Sequence, residues 1–238
     1  MLPMIGQISF FPYVFPPAGW MFCDGKLLSI AEYETLFMLM RNRFGGNGES
    51  TFALPDLRAA APENTHYCIS LFGTFKPHHY EGVVGETFLS FDAPTAENLL
   101  ECTGQPVAKN KYPLLDAHMG SRFGGSGGNL NLPDLRPKAP TGFRYVMTMT
   151  GDEPDRPADR APFVGELFLL PYETSSEWFM LCNGSRVQIR QNPALYSLLG
   201  NQFGGDTTTY FSLPDLRSFA PAKFNYYICS NGVFPTRP

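Results

Sequence analysis

The chain has 238 residues, with 18 Lys and Arg against 22 Asp and Glu and a net charge of −4. It is rich in Gly (23), Pro (22) and Phe (21) and only 17% charged, the composition of a loop-heavy β or α+β protein. Residues 1–80, 81–160 and 161–238 carry −1, −3 and 0, so no part is basic enough for a nucleic-acid partner, and no 18-residue apolar run provides a membrane span.

In chain order, MLPMIGQISFFPYVFPP is apolar but has no positive n-region; it reads as a strand over 5–13, and no Sec signal peptide is expected. Pro12, Pro16 and Pro17 break that strand. Residues 20–23 form a short buried strand, Asp24-Gly25 a hairpin turn, and 26–28 the returning strand. A helix is expected over 31–42, with Leu36, Phe37, Leu39 and Met40 as its apolar stripe and Gly45 as its left-handed C-cap. Residues 47–50 are a loop, Leu54-Pro55-Asp56 an extended turn, and 67–71 a closing strand.

The same landmarks then recur twice. Gly6, Cys23 and Phe44 return 79 residues on at Gly85, Cys102 and Phe123. Leu-Pro-Asp-Leu-Arg begins at Leu54, Leu132 and Leu213, so the offset to the second copy falls to 78 while that to the third stays at 159. Pro62, Pro140 and Pro221 follow, then Tyr67, Tyr145 and Tyr226, then Gly73, Gly151 and Gly232. The chain is therefore three tandem repeats, 1–80, 81–160 and 161–238, the second the most divergent. Each has short strands, one helix and long Gly/Pro loops. A unit this small has a marginal core, so packing of copy on copy is expected to add stability.

Candidate chemistry is sparse. Asp56/Arg58, Asp134/Arg136 and Asp215/Arg217 recur in every copy whatever surrounds them, which points to folding chemistry: an Asp capping turn amides and an Arg bonding a carbonyl or carboxylate. His66, His78, His79 and His118 fall at different places in the repeat and make no metal site. Cys23, Cys102 and Cys182 are equivalent, while Cys68 and Cys229 lie in the closing strands; they are free buried thiols or else Cys23–Cys68 and Cys182–Cys229 pairs. No catalytic triad, phosphate loop or carboxylate pair stands out, so neither catalysis nor a cofactor is expected.

The set from Gly6 to Arg58, with Gly-Trp-x-x-Cys-Asp-Gly, Phe-Gly-Gly-x-Gly and Thr-Phe-x-Leu-Pro-Asp-Leu-Arg, resembles the phage tail-collar domain of short tail fibres and microcystin-dependent-type proteins. The closing segment Asn225 to Arg237 is similar to the C-terminal end of the latter group. The resemblance implies a non-enzymatic structural or adhesive part of a virion tail or an extracellular fibre. Its partners would be other fibre or tail subunits and a cell-surface glycan or protein receptor. Such fibres are commonly homotrimers, and this chain has no coiled-coil or collagen-like shaft, so the three copies are expected to close into a pseudo-threefold fibre tip or cap. Recognition would come from loops that differ between copies, with Asn47, Glu49, Asn129, Asp206 and Tyr210 as candidates. The alternative is a carbohydrate-binding module on a secreted bacterial protein.

Overall fold

The computed structural model describes residues 3–75, 77–154 and 162–237; the boundary expected at 160/161 lies outside them. The first repeat runs β1 (Ile8–Phe11), β2 (Trp20–Phe22), β3 (Leu27–Ser29), α1 (Glu34–Met40), β4 (Thr51–Ala53) and β5 (His66–Ser70). The second has β6 (Thr87–Ser90), β7 (Leu99–Glu101), β8 (Pro106–Ala108), α2 (Pro113–Met119), β9 (Asn129–Asn131) and β10 (Arg144–Thr148). The third has β11 (Leu167–Leu170), β12 (Phe179–Leu181), β13 (Arg186–Gln188), α3 (Pro193–Leu199), β14 (Tyr210–Ser212) and β15 (Asn225–Cys229). Helix and strand are mixed in three repeats of one plan, in an α+β fold.

In each repeat the closing strand lies in the middle of an antiparallel trio: β2-β5-β1, β7-β10-β6 and β12-β15-β11. The opening and closing strands are short and mostly buried, as apolar β-formers such as Ile8, Phe10 and Phe11 require, while β2, β7 and β12 bury only their first residue. A second two-stranded ribbon, β3-β4, β8-β9 or β13-β14, brackets the helix.

The helices are shorter than the sequence pattern predicts, seven residues each. Two turns are marginal in isolation. They persist because one edge is driven into the core: Leu36 and Met40 in α1, Leu115 and Met119 in α2, Leu195, Leu198 and Leu199 in α3. Pro113 and Pro193 begin α2 and α3, where a missing N–H costs nothing. Gly45 is not the C-cap. That place is taken by Arg41, Gly120 and Gly200 at φ near +53, whose N–H groups bond carbonyls one turn back. The sequence rule overlooked it because repeat 1 has arginine there.

The expected hairpin at Asp24-Gly25 is also absent. β2 pairs with β5, and β3 pairs with β4. The segment between them lies beside the Leu-Pro-Asp-Leu-Arg turn: Gly25 N–H bonds Pro55 O at 3.2 Å, Leu57 N–H bonds Cys23 O at 2.8 Å, and Leu54 N–H bonds Lys26 O at 2.9 Å. Gly25 has φ +83, as a turn glycine would, but an added Cβ would lie 3.5 Å from the Asp56 Cβ. A distant segment supplies the hydrogen bonds that a hairpin partner would have made.

The repeats join through their first strands into one nine-stranded sheet, with Phe10 paired to Leu167 and Leu169 to Thr87. The seams repeat one contact with different side chains. The opening glycine of each repeat packs on an aromatic ring of another: Gly6 on Phe91, Gly85 on Tyr172 and Gly165 on Tyr13. In repeats 1 and 3 one position just past the helix reaches the same neighbour. Arg43 donates to Phe91 O, and Gln202, at the same repeat position, donates to Pro12 O at 3.1 Å. Gln202 also donates to Asn64 O at 2.9 Å, while Lys223 donates to Arg122 O at 2.7 Å. Past β15 the chain returns to the first repeat, where Ala18 N–H bonds Thr236 O at 2.8 Å and Arg237 lies 4.7 Å from the Phe15 ring centroid.

Candidate functional site

The Asp and Arg of each Leu-Pro-Asp-Leu-Arg form one closed unit. Arg58 Nε and Nη2 donate to the two oxygens of Asp56 at 3.0 and 2.6 Å, and the Arg58 N–H donates to Asp56 Oδ1 at 3.2 Å. Arg136 holds Asp134 at 2.9 and 2.6 Å, and Arg217 holds Asp215 at 2.9 and 2.6 Å. The Arg58 hydrogen bonds hold the Asp56 carboxyl down to about 2. All three pairs are exposed, so each fixes local geometry more than it stabilises the fold. The forks use the carboxylates' oxygens inside the turn.

Of the candidate recognition residues, two are occupied in shaping their own loops. Asn47 Oδ1 accepts the N–H groups of Glu49, Ser50 and Thr51 at 2.9 to 3.0 Å. Asp206, at the equivalent position, accepts those of Thr208, Thr209 and Tyr210 at 2.7 to 3.0 Å and also the Thr209 hydroxyl. That hydroxyl, followed by the amides, holds the Asp206 carboxyl well below its ordinary range. Both are side-chain anchors for tight polar loops. Glu49 remains exposed on the first loop. Asn129 starts β9 and closes the glycine-rich loop by an N–H bond to Ser126 O at 3.0 Å. Tyr210 starts β14 with the Arg186 guanidinium 4.6 Å from its ring centroid. The structure brings Asp206 and Tyr210 together; Asn47, Glu49 and Asn129 belong to the loops of the other two repeats.

Tyr67, Tyr145 and Tyr226, one from each closing strand, are buried around one small cavity, and the Tyr67 hydroxyl hydrogen-bonds those of Tyr145 and Tyr226. Burial pushes all three phenols up. The Phe10 ring stacks on Tyr67 with centroids 4.5 Å apart and approaches Tyr226 at 5.7 Å. Gln7, Glu86 and Glu166 occupy one position in the repeat and are all buried, Glu86 and Glu166 beside this cluster. Each caps its own turn, accepting the N–H of Met4, Val83 or Phe163 at 3.1 to 3.2 Å. Their polar atoms thus complete the backbone.

A family model, the phage tail collar domain, matches the chain three times, at residues 6–62, 85–140 and 165–221. The chain belongs to the phage tail collar domain family. The matches begin at the three seam glycines or beside them and end just past the three Asp–Arg forks. The family places the protein among the structural components of phage tail fibres, in the virion tail and in association with other tail or fibre proteins; collar domains are structural, not enzymatic. A search of curated proteins found no match. Among the described residues no helix is long and apolar enough to cross a membrane, and no three His, Cys, Asp or Glu side chains converge as a metal site.

All five cysteines are buried and none is in a disulfide. Cys229 lies opposite Phe179, three residues before Cys182, so along an extended strand these two sulfurs are about 10 Å out of register, beyond a disulfide's reach. Sequence reasoning marked Tyr67, Tyr145 and Tyr226 only as spacing landmarks and missed that they meet. The signal was there: a hydroxyl-bearing aromatic retained at one site in all three copies, where Phe would serve an independent core as well. It also missed Arg186 and Arg190, which stand where repeat 1 has Leu27 and Ala31.

Proposed function

We propose that the protein is a fibre-tip or cap component of a phage tail, in which three collar repeats close into one pseudo-threefold body. One end of that body would seat on a threefold fibre or tail partner, and its divergent loops would face a cell surface. The observation that carries this reading is the cyclic set of glycine–aromatic seams: repeat 1 receives Phe91 of repeat 2, repeat 2 receives Tyr172 of repeat 3, and repeat 3 receives Tyr13 of repeat 1. A linear array would leave two of its ends without such a contact. The shared tyrosine cluster and the return of the C-terminal segment to Ala18 favour the same closure. In this reading 1–80, 81–160 and 161–238 are the three units, the Asp–Arg forks are turn clamps of the scaffold, and function lies in what the copies do not share. Fusing three copies frees each to differ, so one cap offers a cell surface three chemistries.

Electron microscopy of virions carrying a labelled version of the chain tests the role. Label at the distal end of a tail fibre supports it. Label along the shaft, or on no part of the tail, contradicts it.

A further inference from the structure

The three ribbons that bracket the helices differ in one chemical respect. On β13 and β14, Arg186, Gln188, Tyr210 and Ser212 share the outer face, since Arg186 pairs with Ser212 and Gln188 with Tyr210, while Val187 and Phe211 turn inward. Arg186, Gln188 and Tyr210, with Arg190, Thr208 and Thr209, line an open groove of about 540 Å³, the size range of small-ligand sites. Repeat 1 places Leu27, Ala31 and Thr51 at the positions of Arg186, Arg190 and Tyr210; repeat 2 places Pro106, Asn110 and Asn129 there. Only the third repeat has two cations and an aromatic ring.

The groove is held ready. Asp206 fixes the amides of Thr208, Thr209 and Tyr210, and the Tyr196 hydroxyl donates to Thr207 O at 3.3 Å, tying the loop to α3. Arg186 lies over the Tyr210 ring, which limits its freedom. Arg190 Nε donates to Gln188 Oε1 at 3.0 Å, which orients the side chain and leaves its terminal nitrogens for a ligand. Among the described residues neither arginine is ion-paired to a carboxylate. The acid nearest in sequence to the loop, Asp206, has its oxygens engaged by three amides and a hydroxyl.

We propose that this third-repeat groove binds an anionic sugar, with Arg186 and Arg190 taking its carboxylate or phosphate and the Tyr210 side chain beside them contacting the sugar ring. Guanidinium forks match both anions in a planar, two-pronged geometry, and a ring beside them selects a saccharide over a free ion. The inference rests on the reading of the divergent loops as a recognition face, and it names the ligand class and the repeat that takes it. Repeat 3 is also the one copy without net negative charge, so it repels such a ligand least.

The test is an NMR titration of the full chain with three probes: a glucuronic-acid oligosaccharide, glucose 6-phosphate and a neutral glucose oligosaccharide. The comparison protein carries Arg186→Leu and Arg190→Ala, the residues repeat 1 accommodates at the same sites, so its fold is expected to hold and its unshifted spectrum away from the groove confirms that. A second variant, Tyr210→Thr, has the same precedent in Thr51. At least one acidic probe is expected to bind, shifting the resonances of residues 186–190 and 208–210, weakening with salt and losing at least tenfold affinity in the double variant. Tyr210→Thr is expected to weaken it severalfold. Response to the uronic acid alone assigns an acidic polysaccharide, and response to the phosphate alone a phosphorylated glycan. The proposal is overturned if neither acidic probe binds, if the neutral one binds as tightly, or if the double variant binds undiminished. Light scattering on the same samples separates this from the cap reading: a trimeric mass contradicts the cap and leaves the titration to decide the groove.

Discussion

Gly165 packs against the ring of Tyr13, so closely that a Cβ on the glycine would lie 2.8 Å from the Tyr13 Cε1. The two residues are 152 positions apart, and their contact joins the third repeat to the first. Gly165 also has φ +84. Two separate demands therefore fall on one residue, a left-handed backbone and the absence of a side chain.

These demands can be separated by substitution. Gly165→Ala is expected to cost about 1–2 kcal/mol for the backbone and about 1–3 kcal/mol more for overpacking the seam. Gly127→Ala is the comparison, since Gly127 has φ +58 but nothing within 4 Å of its Cβ position. Thermal melts should place Gly165→Ala clearly below Gly127→Ala. Equal melting temperatures would mean that the seam contributes nothing.

The buried tyrosines make a second prediction. Tyr67→Phe removes the hub that links the other two hydroxyls, and each buried hydroxyl left without its partner costs about 1–3 kcal/mol. Replacing all three with Phe removes the stranded groups as well, so the triple variant is expected to cost less than the three single losses added together. Urea denaturation of the four proteins reads this directly. Strict additivity would show that the three side chains act independently.

The loop anchors predict a pH dependence. Asp206 and Asp56 both have folded-state values below the ordinary 3.8, Asp56 at about 2. A depressed carboxyl contributes its stabilisation fully above the unfolded value and loses it as pH falls through the folded one. The Asp56 fork is thus expected to weaken between about pH 4 and pH 2, and the Asp206 loop to persist to still lower pH. Carboxyl NMR titration follows both. Asp206→Asn should keep the loop and abolish its acid response, because Asn47 already does this work in repeat 1. Asp206→Ala should speed amide exchange at Thr208, Thr209 and Tyr210; unchanged exchange there would contradict the anchoring role.

The thiols give a fourth. Burial pushes Cys23, Cys68, Cys102 and Cys182 up, suppressing the reactive thiolate. A thiol reagent added to the native protein is expected to label none of the five rapidly and all five in denaturant. Fewer than five in denaturant would indicate a disulfide.

What the sequence made legible was whatever depends on local chemistry retained in each copy. The repeat itself, the strands around Phe10 and Tyr67, and a helix with Leu36 and Met40 on its buried edge all follow from spacing and polarity. The pairing of β3 did not, because its hydrogen-bond partners come from Thr51 to Ala53 and the preceding segment bonds to Pro55, outside any short window. Nor did the helix end, since Arg41 adopts a backbone conformation that the sequence rule reserves for glycine. The candidate site was read by loop position alone. Asn47 and Asp206 stand in loops that differ between copies, yet their polar atoms are directed back at the loop amides. Arg186 and Arg190 went unmarked because a charge on a short strand becomes informative only once its neighbours across the ribbon are known.

Closure of three repeats in one chain is the central claim, and small-angle scattering with light scattering on the purified protein tests it most directly. A closed body is expected to be a monomer of 26.5 kDa with a radius of gyration of about 18 Å, the value for a compact chain of this length. An elongated monomer with a markedly larger radius, or a trimer of chains, would contradict it.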